Sequence, residues 1–344
     1  MNRYIFYALT VIASLSACSQ SDDDVPVPGQ EENVIRFSAQ APKQSRAASV
    51  TTATLQNFIV YAFTDSELIM DGVTVTRNGG SWTYSPAVYW PSTPVSFYAV
   101  SPDLRTGSST TNFNNLIKDV TMGNSDLIYA VNMNQYESPT PVNLSFRHAM
   151  SRVAVNLSCS NENYKVKVDY VVLKNIALFG DFSLPNATTS PTNSDAVGTW
   201  SNLSDRMDRM IYYFDVAPSP LILNPTPVDV TEGNMEQSFC IPQELLPFSF
   251  TNSGVFSGSY IEIDCEIFDK FTGEKLWPTE HTPQYLLVDQ TPDGRMLFPL
   301  ATNTVTSWEP GYSYIYNIKI NTSYSIDTIE FNPSVTDYID VTAY

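Results

Sequence analysis

The sequence predicts an all-β protein built from two β-sandwich domains in tandem. Short segments rich in β-branched and aromatic residues recur throughout the chain, and Gly, Pro and Asn turns separate them. No stretch carries a sustained helical pattern of apolar residues. The 344 residues are enough for two ordinary domains, and regularly spaced short strands are typical of sandwiches.

Residues 1–17 have the features of an export signal. Arg3 gives a positive start, and an uncharged apolar run follows up to Ala17, too short to span a bilayer. The segment ends in Leu15-Ser16-Ala17-Cys18, which resembles a bacterial lipobox, in which Cys18 is lipidated and becomes the first residue. Several acyl chains there would hold the protein durably on a membrane, whereas the alternative is an ordinary signal peptide with a chance cysteine.

Residues 18–46 are predicted to join a polar tether to a removable first strand. Ser, Asp and Pro dominate the tether, which lacks the apolar residues for a core. Apolar and polar residues then alternate with the period of a half-buried strand, and the apolar positions are Ile35, Phe37, Ala39 and Ala41. Pro42 ends this strand because proline cannot donate to a β-ladder.

Arg46 follows the first strand in a short polar segment, which is a natural site for an Arg-specific protease. Cleavage after Arg46 would release the strand and leave Ala47 as the new first residue. The alternative is an ordinary first strand, followed by a loop that carries one solvated arginine among many. The local pattern leaves both interpretations open.

The first sandwich is predicted over residues 47–140. Residues 55–63 are almost continuously apolar, as expected of a central strand. Shorter strands are expected at 82–90, 95–100, 116–120 and 127–131. Pro139 and Pro141 form a stiff break, and the domain boundary is placed beside it.

The second sandwich is predicted over residues 141–344. Its strands are expected at 142–148, 153–159, 210–216, 238–241, 260–268, 285–288 and 312–320, and a long pair of strands is expected at 165–178. A polar loop is expected at 183–202, and residues 205–210 suggest one short helical turn.

Charge and cysteine content exclude several classes of protein. The net charge of −18 and the lack of a basic patch argue against binding to nucleic acids, and they suit an extracellular protein. Three cysteines remain besides Cys18, an odd number whose spacing matches no metal site. Cys159 and Cys265 continue apolar strand faces and are expected to be buried thiols. One disulfide among Cys159, Cys240 and Cys265 stays open.

The sequence offers no recognisable catalytic constellation. His148 and His281 are its two histidines, and neither has a Cys or His partner at metal-binding spacing. Nucleophile, phosphate-loop and dinucleotide signatures are missing. Paired carboxylates for glycoside hydrolysis are not excluded, but nothing distinguishes them from solvated loop residues. We therefore expect no enzymatic activity, and no cofactor or metal.

Several short motifs, in this order and spacing, together resemble the Bacteroidales fimbrillins, the family of type V pilus subunits. They are the lipobox at Cys18, the strand at 35–41, Arg46, Val88-Tyr-Trp-Pro91, Phe97-Tyr-Ala-Val-Ser-Pro102, Phe146-Arg-His-Ala-Met-Ser-Arg-Val-Ala-Val155 and Trp308-Glu-Pro-Gly-Tyr-Ser-Tyr-Ile-Tyr316.

The resemblance implies two transthyretin-like β-sandwiches in a protein that reaches the outer membrane as a lipoprotein. A surface protease then cuts after an arginine, here matched to Arg46, and removal of the first strand opens a groove. A C-terminal strand of a neighbouring or related subunit fills that groove, and the subunits form an extracellular fimbria that supports adhesion. A chain with both a cut site and a long tail is expected to be a stalk-type subunit.

The tail repeats the alternation of the first strand over a longer span. Its apolar positions include the candidate donor residues Ile329, Phe331, Val335, Ile339 and Val341. The alternative is a final strand that packs on its own domain. Thr328 lies in Asp-Thr-Ile, which is similar to a short Bacteroides O-glycosylation acceptor, so glycosylation of Thr328 stays open.

A different function remains compatible with a tethered, Trp-containing β-sandwich, namely glycan binding at the cell surface. This function needs exposed aromatic side chains grouped on one face. The five tryptophans are scattered along the sequence, and several fall in predicted strands.

Lipidation of Cys18 is tested by substitution. We expect Cys18→Ala to abolish membrane association in cells, and with it maturation at the cell surface, because no other residue of the motif can carry the acyl chains. Cells labelled with a palmitate analogue provide the measurement. Equal labelling of the wild type and the variant would contradict the lipobox interpretation.

Overall fold

The structure of the protein is a computed structural model that describes residues 33–40, 54–102, 115–123, 125–190, 193–213, 220–231, 239–250, 256–280, 287–288, 291–292, 294–320 and 330–337. Strands dominate these ranges, and no α-helix occurs within them. The predicted all-β fold is therefore confirmed.

The N-terminal part of the chain forms one large sheet with a smaller pair of strands beside it. Its strands are β1 (Phe37–Gln40), β2 (Asn57–Phe63), β3 (Leu68–Asn78), β4 (Ser81–Thr83), β5 (Val95–Ser101), β6 (Leu116–Thr121), β7 (Ile128–Gln135), β8 (Val142–Ser145) and β9 (Arg147–His148). The large sheet, hereafter the first sheet, has the order β4-β3-β2-β5-β7-β9. β1 and β8 form a separate parallel pair.

The remainder of the chain supplies the other strands. They are β10 (Ser151–Ser158), β11 (Tyr164–Ala177), β12 (Phe179–Ser183), β13 (Thr199–Ser201), β14 (Arg206–Tyr213), β15 (Leu221–Ile222), β16 (Val228–Asp229), β17 (Phe239–Cys240), β18 (Gln243–Glu244), β19 (Ser249–Phe250), β20 (Phe256–Ser257), β21 (Tyr260–Asp269), β22 (Lys275–Trp277), β23 (Leu287–Val288), β24 (Thr291–Pro292), β25 (Arg295–Pro299), β26 (Ser307–Trp308), β27 (Tyr312–Lys319) and β28 (Glu330–Asp337).

Two sheets of this second part pack face to face. One has the order β16-β10-β27-β28, and the other has the order β14-β11-β21-β22. β10 and β27 run parallel, with Val153 opposite Tyr314. The side chains that alternate inward from both sheets, such as Val155, Val168 and Ile263, are fully buried in one apolar core. This is the arrangement of a β-sandwich.

The first sheet is covered on both faces, which explains why β2 is almost continuously apolar. Phe58 and Val60 point into a core that also contains residues of β1 and β8. Ile59 and Tyr61 point the other way, into the core that continues to the second sandwich. A strand buried on both faces needs apolar residues at odd and even positions alike.

The cover on the second face comes from later in the chain. β12 pairs with β13 and β6, and the three strands form a small sheet against the first sheet. The Phe182 ring lies 5.0 Å from that of Tyr129 and 5.1 Å from that of Trp200. The Gly198 amide donates to the Tyr129 hydroxyl at 2.9 Å. The described parts of the segment expected to be a polar loop therefore pack on the first sheet.

The helical turn predicted at 205–210 is wrong. Arg206–Tyr213 is a strand, because it pairs antiparallel with β11 at the side of a sheet. Long-range pairing decided the conformation of a segment whose local sequence is ambiguous.

The predicted domain boundary beside Pro141 stays a prediction. β8 lies just beyond that position, and its side chains Val142 and Leu144 pack in the core that contains β1. Phe146 belongs to the same core. The first core therefore extends past the predicted boundary to about the start of β9.

Gly198 gives a stability test of the cover over the first sheet. A Cβ at this position would lie 2.2 Å from Cζ of Phe182 and 2.8 Å from the Ser183 carbonyl oxygen. We expect Gly198→Ala to lower the free energy of unfolding by about 1–3 kcal/mol through overpacking. Urea denaturation measures the change.

A double-mutant cycle provides the control. In a Phe182→Leu background, Gly198→Ala should cost measurably less, because the ring that meets the new methyl group is gone. Equal costs in both backgrounds would show that the two residues are not in contact.

Candidate functional site

The candidate site is the groove that residues 33–40 fill in the first core. β1 pairs in parallel with β8, with Phe37 opposite Val142 and Gln40 opposite Ser145. The Val142 amide donates to the Arg36 carbonyl at 2.7 Å. The Phe146 amide donates to the Gln40 carbonyl, also at 2.7 Å. β8 therefore forms one wall of the groove.

Residues 88–90 form the opposite wall. The Ile35 amide donates to the Val88 carbonyl at 2.9 Å, and the Trp90 amide donates to the Asn33 carbonyl at 2.9 Å. Val34 forms an antiparallel bridge with Tyr89. Backbone hydrogen bonds thus hold the segment on both edges. Residues 88–90 bond to its N-terminal end, and β8 with Phe146 bonds to the rest of it.

The floor of the groove is an aromatic pocket around Phe37. The centroid of its ring lies 6.3 Å from that of Phe58, 5.7 Å from that of Tyr84 and 5.7 Å from that of Phe97. Ile35 is fully buried, and Phe37 is 4% exposed. These are favourable separations for aromatic pairs, so Phe37 anchors the strand.

Polar side chains also hold the segment. The Tyr84 hydroxyl donates to the Ile35 carbonyl at 2.7 Å. Burial raises the pKa of Tyr84, which keeps the hydroxyl protonated and able to donate. Arg36 reaches across the groove, and its Nη2 donates to the Pro139 carbonyl at 2.9 Å.

Removal of residues 33–40 would leave an open trench. The Val142, Phe146 and Trp90 amides would lose their acceptors, and the pocket of Phe37 would be empty. Unpaired backbone groups beside an apolar trench favour the addition of another strand. The chemistry of this site is therefore strand binding.

The other predicted positions of the N-terminal region, Cys18, Ala41, Arg46 and Ala47, lie outside the described residues. Ala39 lies in β1 and is half-buried. Ile329, Ile339, Val341 and Thr328 also lie outside the described residues.

The described part of the tail lies on its own domain in this structure. β28 pairs antiparallel with β27, with Phe331 opposite Ile318 and Val335 opposite Tyr314. β28 is the last strand in the order of its sheet, so one of its edges has no partner strand among the described residues. In the isolated chain, the described part of the tail is therefore a final strand of its own domain, which was the alternative interpretation of the sequence.

The predicted histidine and cysteine environments can be compared with the structure. His148 is buried and its Nδ1 contacts the Asp126 carboxylate. His281 lies outside the described residues. Cys159, Cys240 and Cys265 are free and buried, and burial raises the pKa of each thiol. Within the described ranges, no three His, Cys, Asp or Glu side chains are grouped as metal ligands.

The tryptophans do not form the exposed platform that glycan binding needs. Trp90, Trp277 and Trp308 are buried. Trp82 is half-buried and packs against Phe58 at 4.9 Å, and Trp200 is half-buried against Phe182. The tryptophans therefore give no support to the glycan-binding alternative. Among the described residues, no helix is long and apolar enough to cross a membrane.

Sequence reasoning found the strand but missed the walls of its groove. Residues 88–90 and 142–146 lie about 50 and 100 positions from the strand that they hold, and β1–β8 pairing is parallel. Alternation identifies a half-buried strand but carries no information on its partner. The aromatic motif Val88-Tyr-Trp-Pro91 was the available signal for one wall.

Substitution of Phe37 tests whether the first strand completes the core. We expect Phe37→Ala to lower the free energy of unfolding of the uncleaved protein by about 3–5 kcal/mol, because it empties a buried aromatic pocket. The half-exposed neighbour Ser38 is the matched control, and Ser38→Ala should change stability by less than about 0.5 kcal/mol. Similar small effects in urea denaturation would show that the strand is not part of the core.

Comparison with known proteins identifies a matching family and several similar structures. A family model described as fimbrillin-like matches residues 45–337. A fimbrial protein from Bacteroides vulgatus ATCC 8482 is similar in structure, with a TM-score of 0.53, 12% identity, and coverage of 89% of this chain and 99% of that chain. At this identity the likeness shows the fold alone.

Two proteins of Porphyromonas gingivalis are also similar. A fimbrillin from strain W83 has a TM-score of 0.46 and 12% identity, and covers 91% of this chain and 99% of its own. A tip fimbrial protein with a C-terminal truncation has a TM-score of 0.39 and 12% identity, and covers 82% of this chain and 94% of its own. A comparison with curated proteins finds no match.

The family match extends over most of the chain, from the position before Arg46 to the end of β28. The architecture that it spans is an all-β fold with a strand-binding groove in its first core. The chain belongs to the fimbrillin-like family, whose members are structural subunits of cell-surface fimbriae and not enzymes.

Proposed function

We propose that this fimbrial subunit is of the stalk type, exported as a lipoprotein on Cys18, cleaved after Arg46 and polymerised by donor-strand exchange. The observation that carries the proposal is the position of β1, a short segment held on both edges inside the first core. One cut between Gln40 and the next described residue, Thr54, would free this segment and leave the walls of the groove intact.

The covalent connection protects the groove before cleavage. Burial of Ile35 and Phe37 contributes about 3–6 kcal/mol in total. Association of a separate molecule costs about 4–15 kcal/mol in lost freedom of motion, a cost that the attached strand does not have. A tail from another subunit therefore cannot compete with the resident strand until cleavage has removed this advantage.

The tail gains hydrogen-bonding partners when it moves into the groove. In the isolated chain β28 is bonded to β27 on one edge. In the groove it would have β8 on one side and residues 88–90 on the other. Its five large apolar residues could contribute about 8–15 kcal/mol if they were all buried, which exceeds the contribution of the strand they replace.

The presence of a groove and a tail in one chain supports a stalk role. Each subunit can accept a strand from one neighbour and donate a strand to the next, and head-to-tail contacts that do not close produce an open filament. Tip and anchor positions require only one of these functions. The partners are other copies and related subunits, with an Arg-specific surface protease and, before maturation, a lipid anchor in the outer membrane.

Cleavage followed by electron microscopy tests the proposal. The lipid-free full-length chain, with Cys18 replaced by Ala, should remain monomeric until an Arg-specific protease is added, and should then form filaments. Arg46→Ala should stay monomeric, whereas Lys43→Ala should polymerise as the parent does. N-terminal sequencing of the product should begin at Ala47.

Deletion of residues 329–344 separates the donor from the acceptor. The truncated, cleaved protein should remain a folded monomer, and it should bind a synthetic peptide of residues 321–344 in native mass spectrometry. Filaments formed by the truncated protein alone would show that the tail is not the donor.

A further inference from the structure

The tail contains a near copy of the strand that fills the groove. Residues 35–40 read Ile-Arg-Phe-Ser-Ala-Gln, and residues 329–334 read Ile-Glu-Phe-Asn-Pro-Ser. Both segments place Ile and Phe two positions apart. Three residues follow in each segment, Ser-Ala-Gln in the first and Asn-Pro-Ser in the second, and the outer two of each three are polar. The Ile and Phe positions of the first segment, Ile35 and Phe37, are the buried ones.

Building on the strand exchange proposed above, we propose that residues 329–334 of a neighbouring copy occupy the groove in the same direction and register as residues 35–40. Phe331 then takes the pocket of Phe37, between Phe58, Tyr84 and Phe97. Ile329 takes the buried position of Ile35.

The hydrogen bonds of the resident strand define which positions face β8. The Arg36 and Gln40 carbonyls accept from the Val142 and Phe146 amides. Backbone groups in a strand alternate between its two edges, so the amide and carbonyl of Ser38 also face β8. Ala39 lies between these positions, and its amide faces away from β8.

Proline in the tail excludes every register that is shifted by an odd number of residues. In the proposed alignment Pro333 falls at the position of Ala39, where no amide is needed for the ladder with β8. A shift by one residue would place proline at the position of Ser38 or Gln40 and remove a ladder hydrogen bond. The same shift would turn Phe331 to the opposite face of the strand. A shift by two residues would keep the proline clear of the ladder but would move Phe331 out of the aromatic pocket. The proline and the apolar anchor together therefore select the proposed register.

One aligned position differs in charge. Arg36 donates to the Pro139 carbonyl across the groove, and the aligned tail residue, Glu330, cannot donate from a carboxylate. The resident strand has a contact that the tail lacks. This difference agrees with a groove that keeps its own strand until cleavage.

Disulfide trapping measures the register directly. Ser38 lies opposite Asn143, with 3.4 Å between Oγ and Oδ1, so the aligned Asn332 should lie opposite Asn143 of the neighbouring copy. We expect the full-length double variant Asn143→Cys/Asn332→Cys, cleaved and oxidised, to give a covalent ladder of oligomers that a reductant dissolves. Uncleaved Ser38→Cys/Asn143→Cys, which should close an intrachain disulfide, confirms that position 143 is accessible.

Matched controls move the second cysteine by two positions on the same face. Asn143→Cys with Glu330→Cys or Ser334→Cys displaces the thiol by about 6–7 Å along the strand. This exceeds the reach of a disulfide, so the ladder should be at least about fivefold weaker. A stronger ladder from either control, in protein that forms filaments, would overturn the register while strand exchange stands.

A second measurement uses the proline without any cysteine. Exchange of two neighbours, Asn332→Pro/Pro333→Asn, keeps the composition but moves the proline to the position aligned with Ser38. We expect filament formation by the cleaved protein to slow at least about tenfold, whereas Pro333→Ala should polymerise at the parent rate. Parent-like polymerisation of the exchanged variant overturns the register. Absence of filaments from the cleaved parent protein overturns strand exchange, and the register with it.

Discussion

The structure depends on the filling of one groove in the first core by residues 33–40. Two walls that are distant in sequence, residues 88–90 and β8, bond to opposite edges of this segment. Phe37 closes the aromatic cluster between them. Because a buried backbone group without a partner is costly, the walls require a strand, and any strand with suitable side chains can supply one. The strand exchange that we propose for this subunit would use this property, because one strand would replace another in the same groove.

The first sheet has a second packed face that is independent of the strand in the groove. Its opposite face is covered by β12, β13 and the described residues between them, and this cover does not involve residues 33–40. Tyr129 joins the cover to the sheet through the Phe182 ring and the Gly198 amide. The sheet would therefore retain one packed face if residues 33–40 were removed.

The first and last described strands, β1 and β28, differ in the number of strand edges that are hydrogen-bonded. β28 lies at the edge of the second sandwich, where it has one partner strand among the described residues, whereas β1 has bonded walls on both sides. An edge strand is the part of a sheet that can detach with the smallest loss of hydrogen bonds. In the exchange that we propose, a donor at an edge and an acceptor at a two-walled groove would give the exchange between copies a direction.

The sequence by itself determined the fold class and several of the long strands. Period-two alternation located β10 and β27, and the continuous apolar run located β2, since side-chain burial follows directly from local periodicity. It also singled out the first strand as half-buried. Only the tertiary structure decided that β8 and residues 88–90 form its walls, that β12 and β13 return to cover the first sheet, and that 206–213 is a strand. These features depend on pairing between residues far apart in the chain, and periodicity specifies the face of a strand but not its neighbour.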